Sequence, residues 1–179
     1  MIYMLLAEGF EETEALVPLD ILRRGNQKIL TVGITGKRVV GAHGIVVEAD
    51  ILPSEASEAP DLLILPGGMP GTTNLDASSE TERLLALTLA GGGRVGAICA
   101  APSILGKRGL LRGREAVCYP GFEEYLLGAQ VAIKPVVTSD VFTTAVGMGA
   151  AYAFGLELLT LLKGKEAVAQ VAASAHIPC

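Results

Sequence analysis

The chain has 179 residues, of which 50% are hydrophobic and 18% charged, enough apolar material for one domain with a sizeable core. Its formal charge of −5, without any run of Lys or Arg, argues against nucleic acid or an anionic membrane as partner and favours small molecules or proteins. Three cysteines, Cys99, Cys118 and Cys179, form no CxxC pair and leave an odd thiol, so a disulfide scaffold is not expected and a reducing compartment, the cytoplasm, is.

Ile2–Ala7 is a short apolar run that reads as a buried strand. No basic stretch precedes it and Glu8, Glu11 and Glu12 follow at once, so neither a signal peptide nor a membrane span is expected there. Gly9 turns the chain into a helix over Glu11–Arg24, with Ala15, Leu19 and Leu22 at helical spacing, Arg23 and Arg24 at its end and Gly25 as its stop. Pro18 is expected to kink or divide this helix. Ile29–Ile34 reads as a second strand, and Lys37–Val40 with Ile45–Val47 as a small β excursion around Gly41 and Gly44. After the polar connection Ser54–Pro60, Asp61–Pro66 is continuously apolar, the pattern of a parallel strand covered on both faces. Gly67–Asn74 is expected to be a loop.

Ser79–Ala90 carries leucines at helical spacing and ends in Gly91–Gly93, so a helix with a glycine stop is expected. Arg94–Cys99 reads as a strand running directly into a helix that ends near Lys107. Glu115–Tyr119, Val131–Val137 and Val141–Val146 are strand candidates. Gly147–Leu162 is a helix with Met148, Ala151, Tyr152, Gly155, Leu158, Leu159 and Leu162 on one stripe, and Lys165–Ala175 is a last helix. This alternation implies an α/β architecture, an open and mostly parallel sheet with helices on both faces, in one domain spanning 1–179 without internal repeats.

In such a sheet the ligand crevice lies outside the carboxyl ends of the strands. Three segments deliver residues there: Glu8–Glu14, Gly67–Gly71 and Cys99–Ala100. Cys99 at a strand-to-helix corner has the setting of a nucleophile elbow, where a following helix start favours the thiolate; the bland alternative is an inert core cysteine. The N–H groups of Gly67 or Gly68, with that of Ala100, can serve a developing oxyanion, and one of Glu8, Glu11, Glu12 and Glu14 can move the proton. Gly147–Tyr152 opens a helix after a strand but lacks the third glycine of a dinucleotide fingerprint, and no metal-ligand spacing or phosphate loop occurs, so neither metal nor cofactor is expected.

Glu11–Ala15 followed by Pro18–Asp20 and Arg23–Gly25, then Leu65–Gly68, then Ala97–Pro102, resembles the ThiJ/PfpI superfamily, and within it a bacterial-type member of the parkinsonism-associated deglycase (DJ-one) branch. The resemblance runs from Met1 to about Gln170 in the same order. It implies a flavodoxin-like sandwich, a homodimer, Cys99 as nucleophile and redox-sensitive thiol, Glu14 as the carboxyl bonded to it, and Gly68 with Ala100 at the oxyanion positions. It also implies a cofactor-free reaction on small reactive carbonyls, of the glyoxalase III or deglycase kind, with a non-enzymatic stress sensor or redox-regulated chaperone as the alternative. Arg24 is expected near the dimer contact, and His43 falls where a basic anion-binding residue would stand. The protease-like branch places a histidine directly after the cysteine, where this chain has Ala100, and Gly121–Val137 contains no histidine, so a Cys–His–acid triad is not expected. Class I glutamine amidotransferases need a downstream histidine and acid, for which His176 beside Pro178 is poorly placed.

Overall fold

The computed structural model describes residues 1–177, so Cys179 lies outside the described residues. Six strands form the central sheet in the order β2 (Ile29–Gly33), β1 (Ile2–Leu6), β5 (Leu62–Leu65), β6 (Arg94–Ile98), β10 (Phe142–Ala145) and β9 (Val136–Ser139). All pairings are parallel except the β9–β10 hairpin at one edge. The β excursion is the antiparallel pair β3 (Arg38–Val40) and β4 (Val46–Glu48).

Every residue of β1 and β5 is buried, because helices cover both faces of the sheet. Successive side chains of β1 enter opposite cores: Ile2, Met4 and Leu6 join Phe10, Leu22, Phe154 and Leu158 on one side, while Tyr3 and Leu5 join Leu63, Leu84, Leu85 and Ile104 on the other. The first side is closed by α1 (Glu12–Arg24), α5 (Ala151–Lys163) and α6 (Lys165–Ala175). The second is closed by α2 (Gly71–Asp76), α3 (Ser79–Ala90) and α4 (Pro102–Lys107).

Four local expectations change. Pro18 does not divide α1; it is buried where Gly155 of α5 comes so close that an added side-chain carbon on that glycine would lie 3.0 Å from Pro18 Cα, and this packing offsets the missing backbone bond. Part of the expected loop Gly67–Asn74 is the short helix α2. The Glu115–Tyr119 run keeps only Glu115–Ala116 as β7, paired with β8 (Gln130–Val131) outside the main sheet, and Pro135 separates β8 from β9 because it has no N–H to donate. Finally, α5 proper begins at Ala151 after a 3-10 turn over Met148–Ala150; Phe154 lies inside, while Met148 at 56% and Tyr152 at 53% are exposed rather than on the inward stripe.

Candidate active site

The carboxyl ends of β1, β5 and β6 lie side by side, and the chain leaves each of them into the same crevice. This is where the sheet order reverses about β1, the usual ligand position in an open α/β fold. After β6, Cys99 adopts a left-handed backbone conformation with φ of 65°. For a residue with a Cβ this is strained by about 1–2 kcal/mol. Its neighbours hold it there: the Cys99 N–H donates to the Ala145 carbonyl at 2.9 Å, and the Cys99 carbonyl accepts from the Tyr119 N–H at 2.8 Å. The result is an elbow that presents a half-buried sulfur above the sheet.

Glu14 reaches this sulfur from the first turn of α1. Its side chain is only 1% exposed, is hydrogen-bonded to the Cys99 thiol, and accepts from the Gly67 N–H at 3.1 Å and from the Met148 N–H. Burial pushes the Glu14 carboxyl up to about 7, the neighbouring charge of Glu11 adds to this, and the three hydrogen bonds oppose it. The sulfur accepts backbone N–H groups from Gly68 and Ala100. Burial first, and then the Glu14 charge, nevertheless push the thiol up to about 12. The expectation of a thiolate stabilised by the next helix is thus corrected: α4 has only six residues and starts at Pro102, so its end cannot compensate for a carboxylate in contact with the sulfur. Burial thus pushes both groups toward their protonated forms, and one hydrogen bond joins them.

The glycines divide the work. Gly67 turns its N–H to Glu14, and a side-chain carbon on it would stand 2.5 Å from Glu14 Oε2 and 2.6 Å from Cys99 Cβ, so only glycine fits. Gly68, with φ of 88°, turns its N–H to the Cys99 sulfur together with Ala100, whereas the Gly67 N–H is taken by Glu14. The remaining acids have other partners. Glu11 is the N-cap of α1 and accepts from the Glu14 N–H at 2.7 Å, Glu8 accepts from the Val40 N–H at 3.3 Å, and Glu12 ties down the β3–β4 turn through His43 and Ile45.

His43, expected as an anion contact, gives its Nδ1 to Glu12 at 2.8 Å, and this bond holds the imidazole above its ordinary pKa. Arg24 lies near the far end of α1 from Glu14, about 15 Å along the helix, and is paired with Asp20 at 2.6 Å. His176 ends α6 in a left-handed conformation. Neither histidine is bonded to Cys99 or Glu14 among the described residues. Glu11, Glu12 and His43 bring ligand atoms within 4.8 Å of one another and are the grouping that could hold a cation, but Glu12 already accepts from the His43 N–H at 2.7 Å with one oxygen and meets His43 Nδ1 with the other. Two parts of the crevice have no sequence signature: the Met148 N–H, and Tyr119, which follows a buried cysteine in what reads as an ordinary strand. Only the tertiary approach of β10 and of the Tyr119 segment to the elbow brings them there.

Residues 1–161 match the family described as DJ-1/PfpI. The chain is 36% identical to protein dj-1beta of Drosophila melanogaster over 94% of its length and 92% of the fly protein. It is 32% identical to the glutathione-independent glyoxalase DJR-1.2 of Caenorhabditis elegans, covering 91% and 88% of the two chains. A deglycase of Pyrococcus abyssi is 28% identical, with 90% and 99% covered. Among solved structures, a cysteine-to-alanine mutant of a DJ-1 superfamily protein from Salmonella typhimurium superimposes with a TM-score of 0.94 at 34% identity, covering 99% and 98%.

Proposed function

Because the chain belongs to the DJ-1/PfpI family, we propose that it is a cysteine-dependent, cofactor-free enzyme acting on small reactive carbonyls, converting 2-oxoaldehydes to 2-hydroxy acids. The relatives named glyoxalase and deglycase support carbonyl handling in the family. The observation that carries the finer reading is the hydrogen bond between the strained Cys99 and the buried Glu14.

Ionised Glu14 takes the thiol proton as the sulfur adds to the aldehyde carbon, so the charge of the pair moves onto the substrate oxygen instead of resting on sulfur. The N–H groups of Gly68 and Ala100, aimed at the sulfur, are in reach of that oxygen. Protonation of the oxygen gives a hemithioacetal. Glu14 then carries the proton from the former aldehyde carbon to the adjacent carbonyl carbon through an enediol, which leaves a thioester. Water hydrolyses the thioester, releasing the hydroxy acid and the thiol. The net change is addition of one water, with no external oxidant or reductant. A pKa near 7 suits a group that must both accept and return a proton near neutral pH.

The test is turnover of methylglyoxal to lactate by the purified protein, expected to saturate and to vanish in Cys99→Ala. A second reading has its own support. Gly68, Ala100 and protonated Glu14 surround the sulfur with donors that would bond sulfinate oxygens equally well, which suits a redox sensor. Absence of turnover together with oxidation-dependent partner binding would favour it. We also propose that the chain pairs with a second copy through α1 and the adjoining turns, since Leu16 and Val17 are only partly buried in one chain; sedimentation at micromolar concentration decides this, a purely monomeric species removing it. No helix among the described residues is long and apolar enough to cross a membrane.

A further inference from the structure

Tyr119 is half open to solvent, at 50% exposure, although its own N–H is fixed to the carbonyl of Cys99 at 2.8 Å. Gly147 lies between its ring and Glu14. A side-chain carbon on Gly147 would stand 3.3 Å from Tyr119 Cδ2 and 3.8 Å from both Tyr119 Cε2 and Glu14 Oε1, so ring and carboxyl flank the same point. The next residue, Met148, donates its N–H to Glu14 while its side chain is 56% exposed. An exposed aromatic ring beside Glu14 and an exposed thioether thus stand on the two segments whose backbone N–H groups bond Cys99 and Glu14. Lone exposed apolar residues are ordinary, but two of them bonded through their own backbones to a nucleophile and its proton carrier are not a random pair.

We infer that Tyr119 is a specificity-determining residue whose ring stacks on the substituent of the carbonyl compound, so that the site selects aryl 2-oxoaldehydes over small alkyl ones. This rests on the carbonyl-handling reading above and adds the class of substrate. A planar aromatic substituent offers the ring an offset-stacked or edge-on contact, and Met148 a sulfur–aromatic contact, that a methyl group cannot match. A contact of that kind is worth about two- to tenfold in binding or in kcat/KM.

The experiment compares kcat/KM for phenylglyoxal and methylglyoxal in the wild type, Tyr119→Phe, Tyr119→Leu and Tyr119→Ala. In parallel, saturation-transfer NMR follows binding of mandelate and lactate, the corresponding products. The wild type is expected to prefer phenylglyoxal. Tyr119→Phe should keep the preference within about twofold, whereas Tyr119→Leu and Tyr119→Ala should lose about five- to tenfold on phenylglyoxal and far less on methylglyoxal. Equal losses on both aldehydes, or an unchanged preference in Tyr119→Leu, would overturn the inference. Circular dichroism identifies a variant that fails to fold, and the Phe and Leu forms preserve the bulk over Gly147. The two readings fail separately. Turnover that is lost in Cys99→Ala but shows no Tyr119-dependent preference removes only the aromatic subsite. If neither aldehyde is turned over, the carbonyl chemistry fails, and mandelate binding that persists in Tyr119→Phe and disappears in Tyr119→Leu still decides for the subsite, its absence against it.

Discussion

Glu14 and Cys99, far apart in the chain, meet through one hydrogen bond between a buried carboxyl and a thiol held in a left-handed backbone conformation. Glu14 raises the pKa of the thiol, whereas the thiol's hydrogen bond lowers that of Glu14, so the pair avoids two adjacent negative charges and keeps a proton near neutral pH. In the proposed reaction that proton passes to the carbonyl oxygen when sulfur adds to the substrate.

Glu14→Gln is therefore expected to lower kcat/KM by ~10²–10⁴-fold with the fold intact, the usual contribution of a general acid–base group. Glu11→Gln should stay within a few-fold of wild type, because an amide oxygen can still cap the Glu14 N–H. Glu12→Gln should act mildly through the β3–β4 turn that Glu12 holds. Steady-state kinetics on all three variants make the comparison; equal losses would indicate a diffuse acidic field instead of one placed carboxyl.

The pH dependence has a definite sign. Since Glu14 must be ionised to take the thiol proton, kcat/KM should rise with pH through about 7 and lose that limb in Glu14→Gln. Stability runs the other way. The folded value of about 7 lies above the ordinary 4.5, so the folded state holds more protons between these values and stability falls as pH rises through that window. The loss amounts to at most about 3–4 kcal/mol, at roughly 1.4 kcal/mol per unit. Thermal melts should show Glu14→Gln gaining on the wild type from pH 5 to pH 8 by up to roughly 10 °C; a constant difference would mean that Glu14 is not desolvated.

Peroxide should oxidise Cys99 before Cys118, because both thiols are pushed up, to about 12 and about 11, and access then decides. Cys99 is half-buried whereas Cys118 is 5% exposed. The rate should increase with pH, and Glu14→Gln should speed the first step at pH 7 by removing the carboxylate that opposes the thiolate. Glu14→Leu, which cannot donate, should shorten the life of the sulfinate by removing its hydrogen-bond donor. Peptide mass spectrometry over a peroxide titration reads both; oxidation of Cys118 first would contradict the elbow.

Gly155→Ala should destabilise the protein by about 1–3 kcal/mol through overpacking, since the new methyl would lie 2.8 Å from Ile21 Cδ1 and 3.0 Å from Pro18 Cα. The flexible isoleucine can move aside but the Pro18 backbone cannot. Thermal unfolding should shift down by roughly 2–10 °C, while an unchanged midpoint would mean that α1 and α5 separate freely.

The sequence by itself determined the sheet and the corner. Uninterrupted apolar runs at Ile2–Leu6, Leu62–Leu65 and Val95–Ile98 can be buried on both faces only in a helix-covered parallel sheet, and such sheets gather their strand ends into one crevice. Cys99, the Glu8–Glu14 cluster and the Gly67–Gly68 pair were legible because each follows such a run, and only the family resemblance singled out Glu14 and Gly68 among them. What periodicity could not carry was direction and charge. Which of four clustered glutamates turns inward depends on the rotation of α1 against β5, and Gly67 and Gly68 differ only in where their N–H groups point. The protonation of Cys99 followed burial and one carboxylate in contact, which outweighed a short helix end that the sequence shows but the folded distances make weak. Tyr119 and Met148 reach the site through backbone bonds formed only when the chain returns to β6 from its far side, so no local pattern marks them, and the tertiary structure alone decided their place.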